Sequence, residues 1–236
     1  MTINSSPLGE KSIYADQYDN SLIFPIERAI KRREIGINKK TPPFYGYDIL
    51  NAYELSWLNV RGKPEVAIGE FYFNSESENI VESKSLKLYL NSLNQERYKS
   101  AEAVRSIIEQ DLSAISRSEV KVMLHALDEI EIDPLGGRAG RSIDNLDIEI
   151  EIHQPDAQLL KLDSEEVDDE VLYSDLFRSN CPVTGQPDWA SVELRYTGKK
   201  IDESSLLKYL ISFREHQGYH EECAERIFRD IMLRCQ

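Results

Sequence analysis

The 236 residues suit one large domain or two small ones, and a hydrophobic fraction of 41% is enough to build a core. A formal net charge of −14 excludes broad binding to a phosphate backbone, so an anionic cofactor would require a local basic site. No run of about 18 apolar residues is present to span a membrane, and residues 1–10 lack the apolar centre of a signal sequence. Three cysteines leave at least one unpaired within the chain; without regular spacing they read as reduced thiols of a cytoplasmic protein.

In chain order, the basic cluster Arg28, Lys31, Arg32 and Arg33, with Lys39 and Lys40, reads as part of a solvated N-terminal arm over residues 1–44. Residues 54–59 and 65–73 are expected strands flanking a hairpin turn at Arg61-Gly62. Val81-Glu82-Ser83-Lys84-Ser85-Leu86-Lys87 stands where a strand passes into a helix. The spacing of Leu86, Leu90 and Leu93 predicts that helix, and Val104, Ile107 and Ile108 predict a second. Residues 119–127 read as a third strand. The glycine-rich stretch 136–140 reads as a turn, because no helix signal follows it as a phosphate loop would require. Residues 146–152 alternate strictly and read as a fourth, half-buried strand, closing a first module over residues 45–154.

The acidic stretch 163–170 reads as a solvated linker after which the second copy begins, the second module being set at residues 155–236. Residues 173–180 and 191–196 are its expected strands. Leu206, Leu210 and Phe213 predict one helix; Ala224, Ile227, Phe228 and Ile231 predict the next. Strands followed by helices in each half indicate an α+β fold, with an antiparallel sheet carrying helices on one face.

The halves form a faint repeat. Residues 85–93 lie over 205–213 at a shift of about 120, and the same shift sets Ile107 on Ile227, Ile108 on Phe228 and Leu112 on Met232. By this register His220 and Glu221 fall opposite Ser100 and Ala101. Two more strands are expected after the last helix, yet the chain stops at Gln236; the second module is therefore expected to be incomplete, by nature or through loss of a C-terminal segment. The copies differ in chemistry: Cys181 has no counterpart, and Glu82-Ser83-Lys84-Ser85 is only partly echoed by Asp202-Glu203-Ser204-Ser205. That division suggests a site shared between the modules.

Three groups carry candidate chemistry. In Ser179-Asn180-Cys181-Pro182-Val183-Thr184-Gly185-Gln186-Pro187-Asp188-Trp189 a thiol sits in a polar turn with an acid close behind, and Tyr219-His220-Glu221-Glu222-Cys223 places an imidazole and acids near a helix start. Cys181, Asp188 and His220 together have the parts of covalent thiolate chemistry; the bland alternative is that Cys181 is a small buried hydrophobe. Trp189 can bury Asp188 and raise its pKa, as a proton donor at neutral pH requires, or can be a core residue opening a strand. At residues 81–87, backbone N–H groups, two serines and two lysines can cradle an anion, or Ser83 or Ser85 can simply cap the helix. Glu82 and Glu221 can each accept hydrogen bonds from an amidine-like edge such as that of guanine; Glu221 reads equally as an exposed first-turn acid. His220 can orient a substrate or cap the helix. Cys181, His220 and Cys223 also permit a zinc reading, with the metal activating water, and a catalytically silent base-binding protein is a third class.

These residues together resemble the NADPH-dependent 7-cyano-7-deazaguanine reductases of queuosine biosynthesis in their two-module form. The resemblance runs from about Tyr18 to Gln236 and is strongest at Tyr53-Glu54-Leu55-Ser56-Trp57-Leu58-Asn59, at Glu82-Ser83-Lys84-Ser85-Leu86-Lys87-Leu88-Tyr89, at Ser179-Asn180-Cys181 with Gln186-Pro187-Asp188-Trp189, and at His220-Glu221. It implies tandem tunnelling-fold modules and a homodimer that takes a small-molecule nitrile, with no direct contact to nucleic acid or membrane. It further implies that Cys181 forms a covalent thioimide with the nitrile and that Asp188 donates a proton. By the same resemblance His220 and Glu221, with Val81, Glu82 and Ser83, hold the deazaguanine base, while Ser83 and Lys84 contact NADPH. Two hydride transfers then take the nitrile to the primary amine. The family's two-module chains continue past the position of Gln236 with strands and an Arg/Gly-rich segment that also contacts the cofactor.

Overall fold

The computed structural model describes residue 15 and residues 17–38, 42–128 and 138–235. The chain divides into two units, Met1–Ile132 and Asp133–Gln236, each with its own core. The first contains β1 (Pro25–Glu27), α1 (Arg28–Glu34), β2 (Tyr47–Asn59), β3 (Pro64–Asn74), β4 (Asn79–Val81), α2 (Ser83–Ser92), β5 (Arg97–Tyr98), α3 (Ala101–Ser116) and β6 (Val120–His125). Its main sheet runs β5-β2-β3-β6, antiparallel except for β5, which lies parallel to β2; β1 and β4 pair separately.

Alternation along the strands decides which face is covered. On β3, Ala67, Phe71 and Phe73 are buried against Leu86, Tyr89, Leu90 and Leu93 of α2 and Val104, Ile108 and Leu112 of α3, whereas Val66 on the other face is 55% exposed. The expected hairpin is present and β2 reaches back to Tyr47. Gly62 takes the turn's positive φ of 82°, where a side chain would be strained.

The second unit contains β7 (Arg141–Ser142), β8 (Leu162–Asn180), β9 (Pro187–Ile201), α4 (Glu203–Ile211), a 3-10 turn over Ser212–Glu215, and α5 (His220–Arg234). β8 and β9 form a long antiparallel hairpin, and β7 lies parallel to β8. Phe177, Leu206, Leu210 and Phe213 are buried together, so the predicted face of α4 is the real one. The molecule is thus α+β, its two main sheets largely antiparallel and each packed with helices.

The repeat extends to the polar skeleton. Tyr89 donates its hydroxyl hydrogen to Asp111 at 2.6 Å, and Tyr209 donates to Asp230 at 2.9 Å. The hydroxyls of Ser85 and Ser205 donate to the carbonyls of Glu82 and Asp202 and accept, both at 3.0 Å, from the N–H groups of Phe24 and Lys161. The register slips by one residue between the paired helices, however: Ser100 and Tyr219 occupy the N-cap positions of α3 and α5. Ile227 and Ile231 are therefore buried like Ile108 and Leu112, while Phe228 and Met232 are 44% and 43% exposed and Ala224 faces solvent. His220 and Glu221 correspond to Ala101 and Glu102 rather than to Ser100 and Ala101.

Other expectations are corrected by contacts distant in sequence. Arg28 and Arg32 are buried, not solvated. Arg28 pairs with Asp48 and donates to Ser77, and Arg32 donates to the Ser75 carbonyl, so part of the presumed arm is built into the first unit. Residues 146–152 form no ladder among the described residues. Leu146 and Ile148 pack on the second core, so the segment belongs to the second unit and the expected boundary after residue 154 moves forward to Ile132. The acidic stretch 163–170 lies within β8; Glu165 pairs with Lys200 and Asp169 with Arg195 across the hairpin. Of the glycine-rich stretch, residues 136–137 lie outside the described residues; at Gly140, φ 91°, an added Cβ would meet the Val171 carbonyl at 2.2 Å, which accounts for glycine structurally.

Candidate active site

In the second unit the candidate nucleophile sits in the turn that joins β8 to β9. Cys181 donates its N–H to the Gln186 carbonyl at 2.8 Å and accepts from Gly185 N–H at 2.9 Å, closing the turn. The residue is half-buried, so the thiol is neither sealed in a core nor fully solvated. Asp188 pairs directly with Ser179 across the hairpin. Strand alternation puts Asp188 on the same face as Val192 and Leu194, which pack on the helices. Trp189 therefore points the other way and is 60% exposed, between the guanidinium groups of Arg178 and Arg214, each 5.8 Å from its ring. Trp189 therefore neither buries Asp188 nor belongs to the core.

The turn is fastened to the entry of α5. Asn180 donates its N–H to the His216 carbonyl at 2.8 Å, and Gly218 donates to the Asn180 carbonyl at 3.1 Å. His220, two residues beyond Gly218, is the first residue of α5 and exposed; Glu221 is half-buried beside it. The hairpin end and the helix start thus meet within one unit. Tyr219, not His220, takes the N-cap position of α5, and its side chain makes no cap bond. Cys223 is 2% exposed, and burial, with the nearby Glu222 charge, pushes its thiol up to about 12. Among the described residues no three His, Cys, Asp or Glu side chains gather as a metal site, so Cys181, His220 and Cys223 do not converge as the zinc alternative needs.

Reactivity toward a small alkylating reagent follows from this burial. Treated with iodoacetamide at pH 8, the folded protein is expected to be modified at Cys181 while Cys223 stays intact, because Cys223 is a buried thiol rather than a thiolate. Peptide mapping over time reads this order; equal labelling of the two would contradict it.

In the first unit, Glu82 itself is the N-cap of α2. Its Oε1 accepts from Lys84 N–H and its Oε2 from Ser85 N–H, both at 2.8 Å. The cap is thus neither Ser83 nor Ser85. Ser85 is fully buried with its hydroxyl used on both sides, which removes it from the expected anion cradle. A carboxylate has about four acceptor positions, so capping leaves Glu82 capacity for a ligand. Val81 ends β4 and is buried, while Ser83 opens α2 exposed. Ser83, Lys84 and Lys87 line a cavity of about 1000 Å³ together with Asn51, Tyr53 and Asn91. The ammonium groups of Lys84 and Lys87, the hydroxyls of Ser83 and Tyr53 and the amides of Asn51 and Asn91, with the N-terminus of α2 at Ser83, are a donor set suited to phosphate, so the residues fit a dinucleotide cofactor. The sequence offers no signal for Asn51 and Asn91, and marks Tyr53 only within the resemblance; Asn51 and Tyr53 come from β2 at and just before its bulge and Asn91 from the far turn of α2, and only the packing of helix on strand aligns them. Arg178 and Arg214 escaped notice for the same reason, although Arg178 stands opposite Trp189 in the hairpin.

Comparison with known proteins gives a consistent picture. A family model described as "Nitrile reductase, 7-cyano-7-deazaguanine-reductase N-term" matches residues 14–124, and one described as "QueF-like protein" matches residues 187–236. The chain is 52% identical, over its whole length, to proteins named NADPH-dependent 7-cyano-7-deazaguanine reductase from Burkholderia multivorans, Burkholderia orbicola and Paraburkholderia phymatum, and covers 86% of each.

Proposed function

The chain belongs to the NADPH-dependent 7-cyano-7-deazaguanine reductase family, and we propose that it reduces the nitrile of 7-cyano-7-deazaguanine to 7-aminomethyl-7-deazaguanine through a thioimide on Cys181, in queuosine biosynthesis. It is an NADPH-dependent oxidoreductase of this family. The observation that carries the covalent route is the half-buried Cys181 in a closed turn, with Asp188 on the helix-facing side of the same hairpin and the turn tied to the start of α5.

A nitrile carbon is a weak electrophile, and addition of a thiol makes it an imine-like centre that hydride can reach. Cys181 Sγ forms the C–S bond, one π pair of the nitrile moves to nitrogen, and Asp188 delivers a proton there; the thiol proton restores Asp188, so the addition is neutral overall. Bound NADPH supplies hydride, and two hydrides are needed to reach the amine. Between them the C–S bond breaks and sulfur keeps the electron pair; one solvent proton goes to the nitrogen and one restores the Cys181 thiol, so two hydrides and two protons convert the nitrile to the amine. His220 and Glu221, with Val81, Glu82 and Ser83, hold the base. Ser83 and Lys84 hold the cofactor. The two units are read as tandem tunnelling-fold modules, supported by the repeated Tyr–Asp and Ser–carbonyl bonds. The working form is a homodimer in the cytoplasm, acting on the free base without direct contact to nucleic acid or membrane.

Intact-mass spectrometry after mixing with 7-cyano-7-deazaguanine tests the reading: the protein gains one substrate mass, and an unchanged mass contradicts the thioimide. Cofactor choice provides a separate measurement. Lys84→Ala is expected to raise the NADPH Michaelis constant by about tenfold or more, the equivalent of one lost hydrogen bond to a charged group at roughly 1.5–3 kcal/mol. Adduct formation should change little, since Cys181 addition precedes hydride transfer. An unaltered Michaelis constant would remove Lys84 from the cofactor site.

A further inference from the structure

A loop of four residues connects the 3-10 turn to α5, and it does more than join them. Asn180, immediately before Cys181, gives both of its backbone groups to this loop: its N–H to the His216 carbonyl at 2.8 Å and its carbonyl to Gly218 N–H at 3.1 Å. His216 is in turn fixed to the core. Its N–H donates to the Phe213 carbonyl at 2.8 Å, and its ring stands edge-on to the fully buried Phe213 ring at 5.7 Å. From that position His216 Nε2 lies 3.6 Å from Oε1 of Glu222, within ion-pair distance, with side-chain exposures of 14% and 5%. Glu222 belongs to the first turn of α5, directly after His220 and Glu221. Gly218 passes so close to both that an added Cβ would lie 2.8 Å from the imidazole nitrogen and 3.0 Å from the second carboxylate oxygen. A buried carboxylate is retained only against a partner, and an imidazole–carboxylate contact with room for no side chain between them specifies one path for this loop.

We propose that His216, Gly218 and Glu222 form a brace that sets the Cys181 turn against the first turn of α5, and thereby aims the thiol at the nitrile carbon held beside His220 and Glu221. They are positioning residues that act through Asn180 and the helix start. The proposal rests on the reading of Cys181 as the nucleophile. Its physical basis is that misplacement by about 1 Å of a reacting group can cost on the order of a hundredfold in rate. The brace crosses from the hairpin end to the helix at the point where such misplacement would arise.

The test uses the full chain and 7-cyano-7-deazaguanine, following the rate of adduct formation by rapid-quench intact mass, and the rate of Cys181 alkylation by iodoacetamide in parallel. Glu222→Ala removes one arm of the brace, Gly218→Ala wedges the two arms apart, and Glu222→Gln keeps the size and an oxygen facing the imidazole. Adduct formation is expected to slow by about tenfold or more in Glu222→Ala and Gly218→Ala and to recover largely in Glu222→Gln, while alkylation stays within about twofold of the parent, because it needs an accessible thiol but no aim. Adduct formation at the parent rate in Gly218→Ala or Glu222→Ala overturns the proposal, and so does an equal fall in adduct and alkylation rates. Where Glu222→Ala does not fold, by circular dichroism, Gly218→Ala decides alone on the same criterion. A parent chain that forms no adduct refutes the Cys181 reading itself, whereas a normal parent with normal variants refutes only the brace.

Discussion

Cys181→Ala is expected to abolish the mass gain that the parent chain acquires from 7-cyano-7-deazaguanine, and to lower NADPH-dependent turnover by about a thousandfold or more, as loss of a covalent nucleophile does. The fold should survive. Cys181 holds its turn through main-chain bonds to Gln186 and Gly185, which alanine can make equally well. Cys223 serves as the internal control. It is 2% exposed and packs in the second core, so Cys223→Ala should keep the adduct and lose only stability. Equilibrium denaturation and intact mass on the two variants separate the roles. An adduct that persists in Cys181→Ala, or that maps to Cys223, would sink the assignment.

The largest effect on stability is expected at Asp111. This buried carboxylate accepts hydrogen bonds from Tyr89 at 2.6 Å, from Tyr18 at 2.8 Å and from the Asn20 amide at 3.1 Å. Burial first, then the adjacent Asp111, pushes both tyrosine hydroxyls far above their ordinary range, so they remain protonated donors at any working pH. Asp111→Ala strands the Tyr89 hydroxyl at a fully buried position and unties the segment around Tyr18 from α3. The expected cost is about 3 kcal/mol, from a lost charge-assisted bond and an unsatisfied buried hydroxyl. For a unit of this size that lowers the melting temperature by on the order of 10 °C. Asp111→Asn should lose less, because one amide oxygen still accepts. Urea titration measures both, and a loss below about 0.5 kcal/mol for Asp111→Ala would place it among ordinary surface changes. The equivalent Tyr209–Asp230 bond predicts a similar ranking in the second unit.

Much of the local structure was legible in the chain itself. The spacing of Leu86, Leu90 and Leu93, and of Leu206, Leu210 and Phe213, identified helices whose buried faces are those residues, because a helix covers its core with a periodic stripe whatever it packs against. The Arg61-Gly62 turn, the closed turn around Cys181 and the helix start at His220 were readable for the same reason: turn and helix-entry chemistry operates over a few residues. Alternation at residues 146–152 showed its limit. It sorts side chains between two faces, and it cannot supply the neighbouring strand that a ladder needs.

What depended on partners far along the chain was decided only by the tertiary structure. Charge marked Arg28 and Arg32 as solvated, but Asp48, Ser77 and the Ser75 carbonyl compensate their burial. Charge marked residues 163–170 as a linker, but Lys200 and Arg195 on the opposite strand make that stretch half of a hairpin. The one-residue slip between paired helices is invisible to a fixed-shift alignment, and appears once Tyr89 is seen to reach Asp111 and Tyr209 to reach Asp230. At the site, residue types nominated Cys181, Asp188, His220 and Glu82. That Asp188 faces the helices while Trp189 faces solvent, that Glu82 caps α2, and that His216 meets Glu222 beneath the Cys181 turn are matters of pairing. The cause is the same throughout. Periodicity and turn chemistry are properties of neighbours in the chain, whereas the environment of a buried charge or a reactive side chain is set by atoms that only folding brings within a few ångströms.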